Sequence, residues 1–399
     1  MIYLDYNATT PLCKPARDAM LPYLDEFFGN ASSIHQAGRH ARAAIDTARD
    51  KIAGLLRAKP HEIIFTSGGT ESCNLAVFGL ARCRSSRGGH IVSSKAEHHA
   101  VLNSIEHLEK HEGFEVTWLN LSENGMVDLD QLADSIRPET RLVSIMTANN
   151  ETGVIQPMSE ISKICRERGA LLHSDMVQAF GKIDVLAVAG LVDAASFGAH
   201  KFYGPKGSGF LFLRSGLSIQ PIMFGGAHEN ERRPGTENVA AIAGMAAAAE
   251  FVVQEQKNPP SPSSGAAGEH EKEKRLRDQL WTRIAQSFPD ALRNGEAADC
   301  LGNTLNVSFP GFDSETMLMA LDLEGVCASS GSACMVGSVV ASHVLLAMGL
   351  PMERARSAVR FSLGKWTTAE EIDRAADAID RIFNRLAKTK TKSSAYAVA

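Results

Sequence analysis

The sequence predicts an α/β protein whose larger domain is built on a mainly parallel sheet, with a smaller α+β domain attached. Three observations carry this expectation. Helical and strand-like segments alternate from about residue 15 to residue 250, and such alternation builds parallel sheets with crossover helices. A Pro/Ser/Gly-rich and then charged stretch, 257–274, interrupts the alternation. At 399 residues the chain is longer than the roughly 250–300 at which one core stops growing. The expected division is 15–256 for the large domain, 1–14 with 275–399 for the small one, and 257–274 as a flexible insertion.

Element by element, Ala41–Leu56 has apolar residues at helical spacing, and Glu62–Thr66 reads as a short strand. Ser67-Gly68-Gly69-Thr70 then leads into a helical run. Further strands are expected at His90–Ser93, Phe114–Leu119, Leu142–Ala148, Leu171–Ser174 and Ala194–Gly198, with a helix over Ser159–Arg168. Beyond the interruption come a helix (Arg275–Ser287), a strand (Thr304–Phe309), a helix (Ser314–Leu323), a Gly/Ser-rich loop, a strand (Ala358–Ser362) and a helix (Thr368–Ala387). The tail 388–399 reads as frayed. In an open α/β sheet, functional residues gather where loops leave the carboxyl ends of the strands.

Composition narrows the function classes. With 41 Lys+Arg against 46 Asp+Glu, the net charge of −5 gives no global drive toward nucleic acid or anionic membrane. No apolar run reaches the roughly 18–20 residues of a membrane span, and the N-terminus lacks the pattern of an export signal. The seven cysteines are odd in number and include no Cys-x-x-Cys pair, which leaves a disulfide framework or structural zinc unsupported and points to a reducing, cytoplasmic setting.

Several segments carry chemistry. Ser67–Ser72 follows a strand and opens a helix, so glycine backbone, free N–H groups and the Thr70 hydroxyl offer a phosphate cup. It lacks the lysine of a P-loop. An ordinary glycine turn with Thr70 as N-cap fits it equally well. Lys201 follows the apolar strand Ala194–Gly198 and precedes an aromatic–glycine turn, a setting in which desolvation makes a lysine amine usable for a Schiff base. A surface lysine is the commoner alternative, and Lys206, in the turn itself, is the more solvated candidate. Asp175 ends a strand with Gln178 three residues on; alone it reads as a helix cap. Together, a phosphate cup, a lysine and a carboxylate for a ring nitrogen are what a pyridoxal phosphate site needs.

His98, after another strand, suits stacking on a flat cofactor and proton transfer. Cys334 lies in the small-residue loop Ser329–Ser338, a poor place for core packing and the best nucleophile position among the seven cysteines. Cys73, Cys165 and Cys327 read as structural. Arg360, in a strand, is suited to clamp a carboxylate with two parallel bonds, or else to form a surface ion pair.

In this order the segments resemble the cysteine desulfurases of the NifS/IscS-like class over nearly the whole chain. The resemblance rests on Tyr3-Leu4-Asp5 with Asn7–Pro11, Gly29–Ser33, Thr66–Ser72, Glu97-His98, Asn149–Gly153, Ala199–Gly207, Arg233–Asn238, Ser329–Cys334 and Arg360–Gly364. It implies a homodimer with the type I pyridoxal phosphate transferase fold, like that of aspartate aminotransferase. It also implies that Lys201 holds the cofactor and His98 stacks on it. Asp175 would pair with the ring nitrogen, Asn150 and Gln178 would lie near the ring, and Gln178 would bond its phenolic oxygen. Gly69, Thr70 and His200 would bind phosphate, with Thr236 supplied by the partner subunit. Arg360, with Asn150, would take the substrate carboxylate. The implied reaction converts L-cysteine to L-alanine with a persulfide on Cys334. The sulfur would pass to an acceptor such as an iron–sulfur scaffold protein or a protein of tRNA thiolation or cofactor synthesis. In a scaffold complex Cys334 would also help ligate an iron–sulfur cluster.

Two positions depart from the pattern. Gly198 stands where many relatives carry a phosphate-binding serine, with Ser196 two residues further back, and Gly225-Gly226-Ala227-His228 stands where relatives often have three glycines and a glutamine. A selenocysteine lyase, a simple aminotransferase and a non-catalytic protein on the same fold are the competing readings.

Overall fold

The computed structural model describes residues 1–83, 88–184, 188–257, 268–295, 299–331 and 341–396. Its strands, in chain order, are β1 (Ile2–Tyr3), β2 (Ile63–Thr66), β3 (Gly89–Ser94), β4 (Phe114–Leu119), β5 (Thr140–Ser144), β6 (Leu171–Asp175), β7 (Ala194–Gly198), β8 (Gly209–Leu213), β9 (Leu292–Arg293), β10 (Thr304–Ser308), β11 (Val326–Cys327) and β12 (Ala358–Ser362).

Seven strands form one sheet in the order β2-β8-β7-β6-β5-β3-β4, and β8 runs against both of its neighbours while the other pairs are parallel. The sheet is covered on both faces, as parallel sheets require, and the side-chain period of two sorts its residues between two cores. Ile63, Phe65, Val92, Val143, Leu172, Ala195, Phe197, Phe210 and Phe212 face one core, shared with the helices Gln36–Leu55 and Val239–Lys257. Ile64, Ile91, Leu142, Ala194, Leu211 and Leu213 face the other, shared with the helices Gly69–Arg82 and His99–Glu112.

β8 has no counterpart among the predicted strands. It is a fully buried five-residue apolar run, Gly-Phe-Leu-Phe-Leu, which periodicity alone does not distinguish from a buried helical segment. Gly209 opens it because a Cβ there would lie 2.4 Å from the Phe197 carbonyl oxygen.

A second unit packs the antiparallel strands β12-β10-β9 against the helices Glu269–Ser287, Ser314–Leu323 and Ala369–Tyr396. Leu280, Phe309, Phe361 and Ile379 lie in its core, where Phe288 stacks on Phe383 at 4.4 Å. Ile2 and Leu4 belong to this core, whereas Cys13 and Ala16 belong to that of the large sheet. β1 pairs with β11, and Asp5 bridges to Ser362.

Several boundaries differ from expectation: the helix expected from Ala41 begins at Gln36, and the strand expected to reach Ala148 ends at Ser144. The helix expected from Arg275 begins at Glu269, within the stretch taken as an insertion; Glu269 and Glu271 in its first turn suit the positive end of a helix. Of the rest of that stretch, Lys257 ends the preceding helix and 258–267 lie outside the described residues. The C-terminal helix runs on to Tyr396 through residues taken as a frayed tail, since no Gly or Pro interrupts Ala369–Tyr396.

Candidate active site

The carboxyl ends of β2, β3, β5, β6 and β7 converge on one side of the large sheet. They open into a cavity of about 670 Å³ whose lining includes Gly69, Thr70, His98, Asn150, Asp175, Gln178, His200, Lys201 and Arg360. Nine of the predicted site residues, from six segments of chain, therefore meet in one place. Thr236 does not: it is exposed in the loop before the helix Val239–Lys257 and is absent from this lining. Cys334 lies outside the described residues; Gly331, the last described residue before the gap, borders the cavity.

At the first strand end the helix Gly69–Arg82 points its N-terminus into the cavity. Its N-cap is Gly68, at φ 153°, with no side-chain cap, so Thr70 sits in the first turn and is not the N-cap. The free N–H groups of such a terminus favour an anion. Gly198 presses against this turn: a Cβ there would stand 3.2 Å from the Gly69 nitrogen. Ser196 does not substitute for the missing serine, because it is buried and its Oγ lies 2.9 Å from His173 Nε2. His200 and Lys206 also line the cavity, and burial, with Lys201 and Lys206 nearby, pushes the His200 imidazole down to about 4. Lys206 is exposed, as expected of the turn.

Asp175, at the end of β6, is buried. Its Oδ1 accepts from the Val177 backbone N–H at 2.9 Å and its Oδ2 from the Cys73 thiol at 3.5 Å. The bond to Val177 closes a turn and does not cap a helix as expected, since residues 176–184 form no helix, and it leaves the carboxylate free to accept more. Cys73, read as purely structural, supports this carboxylate; burial and the Asp175 charge push its thiol well above the usual range and keep it a donor. His98 caps the helix His99–Glu112 by accepting the Ala100 N–H on Nδ1 at 3.1 Å. Burial holds its imidazole below the ordinary value, opposed by Asp175 and assisted by Lys201 and His343.

Lys201 follows β7 in a short turn, and its Nζ donates to the Asn7 and Ala8 carbonyl oxygens at 2.7 and 2.8 Å. The N-terminal segment thus passes across the lysine, and Thr9 Oγ1 lies 3.1 Å from His200 Nδ1. Asn7 and Thr9 lie in a strap that joins the two cores, a placement that local sequence pattern does not reveal. Arg360, on β12, is 3% exposed. Nη1 donates to the Asn150 carbonyl at 2.9 Å and Nη2 to Asp5 Oδ1 at 2.8 Å. Its buried Nε has no partner among the described residues. His228, at the second departure, bonds Ser32 Oγ at 3.0 Å.

These features fit pyridoxal phosphate. An anion cup lined by glycines, a buried acceptor-only carboxylate and a lysine amine match its phosphate, its pyridine nitrogen and its aldehyde. Arg360, in the cavity wall, brings a guanidinium to a carboxylate there.

Comparison with known proteins agrees. Residues 2–375 match the aminotransferase class-V family. A cysteine desulfurase IscS of Dictyoglomus turgidum is 47% identical over 385 residues, covering 96% of this chain and 95% of that protein. A solved NifS-like protein superposes with a TM-score of 0.87 at 35% identity, covering 96% of this chain and 99% of the other. The structure of SspA in complex with cysteine gives a TM-score of 0.77 at 34% identity, covering 92% and 100%. The chain belongs to the class-V aminotransferase family, within its NifS/IscS-like cysteine desulfurases, and is a pyridoxal phosphate-dependent enzyme of the type I fold.

Proposed function

We propose that this enzyme takes sulfur from L-cysteine, releasing L-alanine and leaving a persulfide on Cys334 for transfer to an acceptor protein such as an iron–sulfur scaffold. The observation that carries the reading is the meeting of Lys201, Asp175 and Arg360 in one cavity. Bound pyridoxal phosphate supplies an electron sink for the substrate's Cα.

The chain's own groups do the rest. Gly69, Thr70 and His200 hold the phosphate, and Thr236, exposed in the loop before the helix Val239–Lys257, serves the partner subunit's site in a homodimer. Exposed Phe28, Ile34 and Phe224 support such an assembly, at 82%, 91% and 88% exposure. Asp175 holds a proton on the ring nitrogen, and Gln178 donates to the phenolic oxygen. His98 stacks and assists proton movement. Arg360, with Asn150, orients the substrate carboxylate. Lys201 Nζ takes the Cα proton. The Cys334 thiolate attacks the substrate sulfur; an S–S bond forms, the C–S bond breaks, and its electron pair stays with carbon, which is then protonated. In a scaffold complex Cys334 also serves as an iron–sulfur ligand.

No helix of the described residues is long and apolar enough to cross a membrane, and the cysteine usage supports action in the cytoplasm. The two cores support a division into a large unit and a small one carrying the Cys334 loop, with the N-terminal strand joined to the small unit.

The test is a paired assay of alanine and sulfide from L-cysteine and reductant, on wild type and Cys334→Ala. Equal yields from wild type, lost in the variant, are expected. No product from cofactor-loaded wild type would overturn the reading, and activity on selenocysteine alone would replace it with a selenocysteine lyase.

A further inference from the structure

Lys182 has no part in the reaction proposed above. Its Nζ donates to Gln178 Oε1 at 2.6 Å and to Asn7 Oδ1 at 2.9 Å. Gln178 donates in turn from Nε2 to the Asn7 carbonyl oxygen at 2.9 Å, and Lys201 Nζ donates to that same oxygen at 2.7 Å. The donor end of Gln178 and the amine of Lys201 thus converge on one acceptor, while Lys182 holds the opposite end of the carboxamide.

While Lys182 is an ammonium, the chemistry of the groups imposes this orientation. A lysine ammonium offers donors and no acceptor, so only the amide oxygen can face it. Turned over, the carboxamide would set its NH2 against the ammonium and its oxygen against the Asn7 carbonyl, two repulsive contacts in place of two bonds. Asn7 is itself fixed. Its Nδ2 donates to the Asn150 carbonyl at 3.2 Å and to Thr304 Oγ1 at 2.9 Å, and its Oδ1 also accepts from Asn303 Nδ2 at 3.1 Å. Lys182 therefore works against a rigid frame built from both cores.

Behind Lys201 lies a second, smaller cavity of about 120 Å³, bordered by Lys182, Lys201, Tyr203, His270, Glu273 and Lys365. Burial lowers Lys182 to about 7; Lys201 and Arg360 act with burial and Glu273 against it. Burial raises Glu273 to about 8, assisted by Glu269 and opposed by Lys182, Lys272 and Lys365, and burial lowers His270. A neutral lysine amine keeps two N–H donors, so it can hold the Gln178 oxygen on both sides of its titration.

We propose, on the reading of Lys201 and Gln178 given above, that Lys182 is a positioning residue: it fixes the Gln178 carboxamide so that the amino end, and not the oxygen, is presented beside Lys201 for the phenolic oxygen of the cofactor. A donor at that oxygen stabilises its anionic form, so the bound cofactor reports the orientation through its absorbance.

The test is a pH titration of the visible absorbance of pyridoxal phosphate-loaded enzyme, for wild type, Lys182→Met, Gln178→Met and the double variant. Lys182→Met is expected to move the midpoint by roughly half a unit to one unit. The double variant is expected to titrate like Gln178→Met, because the group that Lys182 positions is already gone. An unmoved midpoint in Lys182→Met would overturn the inference. So would a double variant displaced from Gln178→Met by the full Lys182→Met shift, since Lys182 would then act through charge and not through Gln178. Where Lys182→Met gives no folded protein, Lys182→Gln decides. It is neutral yet can donate to Oε1, so a wild-type midpoint supports positioning and a shifted one overturns it. A wild type without visible absorbance would overturn the cofactor reading, and this inference with it.

Discussion

Arg360 and Asp5, 355 residues apart in sequence, form an ion pair at 2.8 Å that ties the edge of the small unit's sheet to the N-terminal strap. The pairing takes up Nη2, and Asn150 takes Nη1, so the guanidinium is aimed and leaves Nε as its unsatisfied donor among the described residues. Arg360→Lys keeps the charge and loses the planar fork. The expected result is a KM for cysteine raised about tenfold or more with a smaller change in kcat. Asp5→Asn, which loosens the aim and leaves the donor, should raise KM by only a few-fold. Steady-state kinetics of both variants checks the order.

Glu151 meets the chain on both sides of 332–340. Its Oε2 accepts from Ser342 Oγ at 2.5 Å, and a Cβ on Gly331 would stand 2.4 Å from that same oxygen. Gly331 is also at φ 35°. Gly331→Ala therefore forces the carboxyl or the backbone aside, at about 1–3 kcal/mol by comparison with other overpacked sites. Persulfide formation on Cys334, followed by mass spectrometry, is expected to fall at least several-fold while the cofactor absorbance stays as in wild type.

Gly198 has φ −129°, which any residue adopts, and its missing Cβ faces the first N–H of the phosphate cup. Gly198→Ser adds a hydroxyl there for a displacement of a few tenths of an ångström at Gly69. One further hydrogen bond to a charged group should tighten cofactor binding by about fivefold or more. Equilibrium dialysis against pyridoxal phosphate measures it, and an unchanged or weaker affinity would show that the hydroxyl finds no phosphate.

His173 is fully buried between Ser144 and Ser196, and burial pushes its imidazole down to about 3. Below about pH 6.5 the unfolded chain protonates this histidine and the native protein does not. Stability from this group is therefore present at neutral pH and is lost as pH falls toward the native value. Buried Glu97, Glu151 and Glu273, whose carboxyls are raised, pull the opposite way over part of that range, so the comparison must be between wild type and His173→Gln. From about pH 6 to 4, wild type should lose up to about 1.4 kcal/mol per pH unit relative to the variant, read from urea midpoints.

The sequence by itself determined the α/β class, most of the strand positions and nine residues of the cavity lining. It did so because strand ends, glycine turns and helix starts are local patterns, and in a parallel sheet all strand ends of one sense fall on one edge. Tertiary structure alone decided the rest. β8 runs antiparallel within the sheet, and a uniformly apolar run carries no mark of direction. The helix from Glu269 reaches into charged residues that read as loop. Cys73 bonds Asp175 from 102 residues away, and Asp5, Asn7 and Lys182 enter the site through contacts that join distant segments. Such partners are fixed by which side chains burial leaves facing one another, and only the assembled cores specify that.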